Sequence, residues 1–419
     1  MEALDRVADK SLIKTGLIPC QALVRVFDGE ILLAESADAF TTAWPESNGH
    51  LLVPESDVMM DRLAAAGTNA DGVAVFTAGY GAEAGADPVA WRDNRSAPSG
   101  KALIGFVRKP LRIVLQDQRP GAENGVATLD RFPRWGDMSD LIRLMDVRPV
   151  QPGVFEAPTY GDVRRNVVEG GQLLGDAIVA AGKTDPDKHL ISAQTIFSRP
   201  AVFDRPLRLD VHESRKGRSY TTLTIETTQD GKPIATSAVL MDAGSQDLTR
   251  HHVDFPDVAG PDDAPIFDYG VIGRETRIVN GDYSPDPDRV GPPEIHAWLR
   301  HREQPEKAYM RQAVLAQPTT HWTIAASMLP HKGYGEVQAH RTISTGVLSS
   351  TIYFHEDPDL ADWLLYSTRA TYSGHGLAQG EGRIHSRAGQ LVATFAVQVM
   401  VRGFPKSEDG SDMKDDRLM

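Results

Sequence analysis

Ser192-Ala-Gln-Thr-Ile-Phe-Ser-Arg-Pro200 and Ser349-Ser-Thr-Ile-Tyr-Phe-His355 share a Thr-Ile-aromatic core, and the residues that follow each are alike. After the first come alternating runs at Leu207-Arg-Leu-Asp-Val211 and Tyr220-Thr-Thr-Leu-Thr-Ile-Glu226. A turn at Asp230-Gly231 then leads into Pro233-Ile-Ala-Thr-Ser-Ala-Val-Leu-Met241. After the second come Trp363-Leu-Leu-Tyr-Ser-Thr368, Leu377 to Ile384, a turn at Ala388-Gly389, and the long run from Gln390 to Met400. Thr195 lies 36 residues before its turn glycine and Thr351 lies 38 before its own. Alternation with period two predicts strands with one buried face. A unit of about 100 residues is too long for a solenoid repeat, so the pattern reads as a duplicated domain.

Each copy has a helix ahead of its strands. In the first, Leu173, Leu174, Ala177, Ile178 and Ala181 share one face between Gly171 and Ala181, the spacing of a buried amphipathic helix. In the second, a helical stretch from about Glu306 to Leu329 contains Pro318, which lacks an N–H and clashes with the preceding turn, so a kink or break is expected there. Helix then long antiparallel strands, twice, suits a sheet wrapped around a central apolar helix. Two such units can join edge to edge and cover each other's exposed strands.

The rest of the chain divides around this pair. Residues 1–137 read as a small, mostly-β accessory domain, with a hairpin at Asp28-Gly29 and one helix around Val58 to Ala65. The first repeat occupies 138–243 and the second 292–403. Between them, 244–291 is rich in Asp, Pro and Gly and reads as a connecting segment with one strand near Tyr269 to Val279. The polar stretch 404–419 reads as a disordered tail.

Composition narrows the chemistry. The chain has 419 residues, a formal charge of −13 and a single cysteine, Cys20. One cysteine excludes internal disulfides, four-cysteine zinc sites and a CxxC redox pair, and points to a reducing cytoplasm. An acidic balance argues against nucleic acid as a partner. No run of roughly 18 apolar residues exists to span a membrane. Gly-x-Ser-x-Gly, P-loop and Gly-x-Gly-x-x-Gly patterns are absent, and His251, His252, His296 and His301 fit no zinc spacing. The reading therefore includes no cofactor and no metal.

Seven elements carry a family resemblance, in order. Val168-Glu-Gly-Gly-Gln-Leu-Leu-Gly175, Ile196-Phe-Ser-Arg-Pro200 and Lys216-Gly-Arg-Ser-Tyr220 lie in the first half. Tyr353-Phe-His355, Trp363-Leu-Leu-Tyr366, Leu391-Val-Ala-Thr394 and Arg402 lie in the second. Together they resemble the type II acyl-CoA thioesterases, a TesB-type double-hotdog family, over about 138–403. The resemblance implies an α+β tandem hotdog that binds an acyl-CoA or related thioester, and a homo-oligomer is a further expectation from it. Val24 to Glu35, with Leu52 to Val58, resembles a small bacterial β-rich domain of unknown function, which implies no chemistry.

In that family an Asp, a Thr or Ser, and a Gln in the second hotdog activate a water, and N–H groups at a helix end stabilise the oxyanion. Here the Asp position falls on Thr320, the hydroxyl position on Val347 with Thr345 two residues away, and the Gln position on Val397 with Gln398 beside it. A one-residue shift along a strand turns a side chain to the other face unless a bulge intervenes. A neutral Thr is no base. His321 can serve, since an unperturbed imidazole titrates near 6.5, although a core-bonded or solvent-facing histidine is the commoner fate. Thr319 and Thr320 equally suit a helix cap after Pro318. The candidate catalytic set is Thr320, His321, Thr345 and Gln398; the candidate substrate-binding set is Gly170, Gly171 and Gln172. Two readings stay open: a thioesterase with a rearranged site, and a catalytically degenerate double hotdog that binds acyl-CoA or another acyl carrier.

Overall fold

The computed structural model describes residues 17–20, 23–42, 50–79, 87–107, 110–116, 126–128, 137–159, 167–203, 205–267, 271–284, 286–339 and 342–404. The tail expected to be disordered lies outside the described residues apart from Phe404. The chain forms two compact units: Met1–Trp135 with Pro158–Val167 and Val202–Pro206, and Gly136–Ala157 with Val168–Ala201 and Leu207–Met419.

The first unit is built of short strands: β1 Leu17–Pro19, β2 Leu23–Asp28, β3 Ile31–Ser36, β4 Phe40–Thr42, β5 Leu51–Pro54, β6 Leu63–Thr68, β7 Ala74–Ala78, β8 Ala90–Ser96, β9 Ala102–Phe106, β10 Arg112–Gln116 and β11 Val126–Thr128. They form a seven-stranded sheet in the order β1-β4-β5-β9-β8-β7-β6 and a four-stranded sheet in the order β11-β10-β2-β3. Leu17, Phe40, Leu52 and Leu103 make one core cluster, with Trp91 against it. The helix expected at Val58–Ala65 is not there. Val58 bridges Ala34, Met60–Arg62 makes a single 3-10 turn, and Leu63 onward is β6, paired with β7. Of β6 only Leu63 is buried, so no apolar helical face exists to pack, and sheet pairing overrides the helix preference of alanine.

The second unit contains one twelve-stranded sheet. Its strands are β12 Arg148–Gln151, β13 Val154–Ala157, β14 His189–Phe197, β15 Leu207–Lys216, β16 Tyr220–Gln229, β17 Lys232–Asp242, β18 Arg274–Ile278, β19 Glu294–His301, β20 Ile343–Phe354, β21 Leu364–Gly374, β22 Leu377–Ser386 and β23 Leu391–Gly403. The order is β12-β13-β15-β16-β17-β14-β20-β23-β22-β21-β19-β18. Read outward from the centre, the two halves have the same succession, so the molecule repeats itself about the β14–β20 seam. The strand that the sequence assigns to the connecting segment is β18, and it pairs with β19 as the outer strand of the second half.

The repeated Thr-Ile-aromatic segments meet at that seam. Ser192 faces Tyr353, Ala193 faces Ile352, Thr195 faces Ser350 and Ile196 faces Ser349, antiparallel. Ala193 and Ile352 are fully buried, whereas Ile196 and Tyr353 point outward and are about half exposed. Each half is a hotdog: two strands, a helix, then four strands that wrap the helix. The first half's helix is α2 (Gly170–Thr184), preceded by a short helix α1 (Met138–Met145) that Asp137 caps through the Ser139 N–H at 3.0 Å. In the second half Pro318 breaks the helix into α3 (Ala308–Ala316), a 3-10 turn (Gln317–Thr320) and α4 (Thr323–Met328). Helix α2 lies close against this broken helix. A Cβ on Gly182 would come within 2.3 Å of Tyr309 Cβ, so only glycine permits that approach.

Candidate active site

The 3-10 turn created by Pro318 abuts the N-terminus of α2. A Cβ on Gly171 would stand 2.1 Å from the Gln317 carbonyl oxygen and 3.1 Å from Thr320 Oγ1. Backbone from one half thus touches backbone from the other, and Gly171 is required there for contact. Gly170 packs on Phe197, whose ring would be 3.2 Å from an added Cβ. The first N–H groups of any helix lack intrahelical partners and carry the positive end of its dipole. At α2 those belong to Gly170 and its neighbours.

Beside this junction lies a network of four side chains. His321 Nε2 pairs with Glu169 Oε1. Gln317 Nε2 donates to Glu169 Oε2 at 2.5 Å and lies 3.3 Å from His321 Nε2, and Gln317 Oε1 accepts from Arg274 Nη1 at 3.0 Å. Gln317 and Arg274 are buried, while the His321 and Glu169 side chains are 11% and 23% exposed. Burial works to raise the Glu169 pKa. The facing His321, by charge and hydrogen bond, then Arg274 and the Gln317 amide, outweigh it and hold the carboxyl below the ordinary glutamate range. Glu169 is also the cap residue of α2, so its charge sits at the end of the dipole that favours it. Trp322 packs edge-on to the His321 ring at 5.9 Å and to Tyr283 at 5.7 Å, walling one side.

The sequence candidates fare differently. Gly170, Gly171, Thr320 and His321 converge. Thr320 is buried, and its hydroxyl reaches the Gln317 carbonyl only at 3.4 Å. Gln172 is fully buried on α2, and its amide has no hydrogen-bond partner. Thr345 is buried on β20, a strand against which the 3-10 turn packs. Gln398 does not belong with them. A bulge between Val347 and Ser349 resets β20, Gln398 faces Ser349, and its side chain is exposed on the outer face with Ser349 Oγ donating to it at 3.4 Å. Val397, its neighbour, takes the buried face. Sequence reasoning missed Glu169, Gln317 and Arg274. Glu169 was findable as an acidic cap before two glycines, and Gln317 as the residue four before His321; no local signal points to Arg274.

A groove of about 920 Å³ lies elsewhere, on the outer face of the second half, lined by His296, Arg369, Glu381 and Arg383 among others; it contains neither Glu169 nor His321. Among the described residues no group of His, Cys, Asp and Glu could hold a metal ion, and no helix is long and apolar enough to cross a membrane.

Residues 160–241 match the family described as acyl-CoA thioesterase N-terminal domain, and residues 251–401 match the acyl-CoA thioesterase C-terminal domain. Together these matches cover more than half of the chain, in the order of the two halves of the sheet. The chain is 25% identical over 289 residues to acyl-CoA thioesterase 2 of Haemophilus influenzae, spanning 63% of this chain and 98% of that protein. It is 23% identical over 313 residues to human acyl-coenzyme A thioesterase 8, spanning 68% and 96%. Two solved structures share the fold at TM-score 0.54, each covering 63% of this chain and 98% of its own. They are a tesB protein of Mycobacterium avium subspecies paratuberculosis, 20% identical, and the acyl-CoA thioesterase II TesB2 of Mycobacterium marinum, 22% identical. Two hotdogs in one chain, joined at the β14–β20 seam and matched half by half, give one conclusion: the chain belongs to the type II acyl-CoA thioesterase family.

Proposed function

We propose that this protein hydrolyses an acyl-CoA thioester to the free acid and CoA, with His321 as general base and Glu169 as the carboxylate that orients it. The observation that carries this reading is the contact of His321 Nε2 with the Glu169 carboxylate beside the N-terminus of α2. With Nε2 directed at the carboxylate, Nε2 holds the proton, and in the neutral ring Nδ1 has the lone pair that accepts one from water. Glu169 stabilises the imidazolium that results, and Arg274, through Gln317, holds Glu169 in place.

The chemistry runs in two steps. Water oxygen bonds to the thioester carbon as its proton passes to His321, and the carbonyl oxygen becomes an oxyanion facing the first N–H groups of α2. The C–S bond then breaks, and His321 returns its proton to the CoA thiolate. The Thr320 hydroxyl, next to Gly171, orients the water and does not deprotonate it.

Val397 on the buried face favours a second reading, in which the family's own water-activating polar pair is lost and the protein binds acyl-CoA without turnover. Thiol release from a panel of acyl-CoAs of different chain length decides between them. Turnover that falls about 10²–10⁴-fold in His321→Ala, and less in Thr320→Val, supports hydrolysis. Saturable binding with no turnover across the panel overturns it.

A further inference from the structure

Gln172 and Asp176 are the two fully buried polar side chains of α2, and the chemistry above uses neither. Both are fully buried, and neither the amide atoms of Gln172 nor the carboxyl oxygens of Asp176 have a hydrogen-bond partner. Four residues apart, they lie on the same side of the helix. Polar groups elsewhere on α2 are satisfied: Thr184 Oγ1 donates to the Ala180 carbonyl at 2.8 Å and Lys183 Nζ to the Val147 carbonyl at 2.7 Å. Around the pair the helix is apolar, with Leu173, Leu174, Ala177 and Ile178 all buried. For packing alone, leucine at either position would serve better, because buried polar atoms are normally paired and costly when they are not.

We propose that Gln172 and Asp176 select the acyl chain, and that the preferred substrate is a thioester whose chain carries a hydroxyl or oxo oxygen. This rests on the thioesterase reading of the same site. An acyl chain whose carbonyl sits at the first N–H groups of α2 and that runs along the helix meets Gln172 first and Asp176 one turn later. A rise of 1.5 Å per residue puts Asp176 about 6 Å beyond Gln172 and about 9 Å beyond Gly170, so the oxygen belongs in the middle of the chain rather than next to the thioester. Burial pushes the Asp176 carboxyl well above the ordinary aspartate range, which favours the protonated form, and that form donates as well as accepts. With the Gln172 amide it offers both kinds of partner to one oxygen atom. A plain alkyl chain would leave all four atoms unpaired, and a site built this way rejects the analogue that lacks the polar group.

The test compares kcat/KM for matched medium-chain acyl-CoAs, unsubstituted and with a mid-chain hydroxyl or oxo group, in the wild type, Asp176→Leu, Asp176→Asn and Gln172→Leu. The expected result is a preference of roughly tenfold or more for the oxygenated chain. That preference should be kept in large part by Asp176→Asn and reduced to near parity by Asp176→Leu, which turns over the unsubstituted chain at least as fast as the wild type. A melting temperature in Asp176→Leu no lower than wild type shows that the loss is one of recognition. Equal treatment of both chains by the wild type, or a preference unchanged in Asp176→Leu and Gln172→Leu, overturns the proposal. If no acyl-CoA of either kind is hydrolysed, the thioesterase reading fails by itself. Calorimetric Kd values for the same ligands then decide: an oxygen preference that Asp176→Leu removes upholds the selection, and equal affinities refute it.

Discussion

At Glu169 a partly buried carboxylate is kept ionised by the groups that face it, so its charge is linked to the fold. Its folded pKa lies below the unfolded value of about 4.3. The stabilisation it provides is therefore fully present above that value and is lost as pH falls through the folded pKa. Glu169→Gln should melt lower than wild type at pH 7, and the gap should narrow by pH 3 in a thermal scan. His301 makes a complementary prediction. Burial, with the nearby Arg274 charge, pushes its imidazole down to about 3, and neither ring nitrogen has a hydrogen-bond partner. The unfolded chain takes up that proton first, so stability is complete above about pH 6.5 and drains away as pH falls from there toward 3, by an amount on the order of a few kcal/mol. His301→Leu should flatten the fall in melting temperature between pH 6.5 and 4; an unchanged profile would show that other groups carry it.

Among the elements, the junction of α2 with the 3-10 turn is the one with least tolerance. Gly171→Ala would put a methyl group 2.1 Å from the Gln317 carbonyl, and because backbone cannot swing aside, the halves must separate locally. A cost of about 1–3 kcal/mol should appear in chemical denaturation, together with lost thiol release. The seam depends on burial instead: Ile352→Ala empties a fully enclosed position opposite Ala193 and should cost about 2–5 kcal/mol. How far these elements could be read from sequence follows from how local their causes are. Period-two alternation marks β14 to β17 and β20 to β23, and Pro318 marks the break, because one face or one missing N–H decides each. Alanine-rich β6 misleads because its state is set by pairing with β7. Gln398 misleads because it adjoins Val397 on β23, where plain alternation buries Val397 and turns Gln398 outward. The link of Gln317 to Glu169 joins residues 148 apart and that to Arg274 joins residues 43 apart, distances at which only the duplicated topology brings them together.

On the scale of the whole molecule, duplication explains why one composite site can exist. Two copies with the same strand succession meet at β14 and β20. The first contributes the helix end and Glu169, the second contributes Gln317, Thr320 and His321, and β18 of the second contributes Arg274. The residues before 160 lie outside both family matches, and the proposed chemistry draws only on the tandem pair. That assignment stands on Glu169 and His321 working as one unit across the two halves. A double-variant cycle on acyl-CoA hydrolysis tests it most directly, with kcat measured for Glu169→Gln, His321→Ala and the two combined. A linked pair predicts that His321→Ala is slow, that Glu169→Gln is partly so, and that the combination is no slower than His321→Ala alone. Full turnover in His321→Ala, or losses that simply multiply in the combined variant, would contradict it.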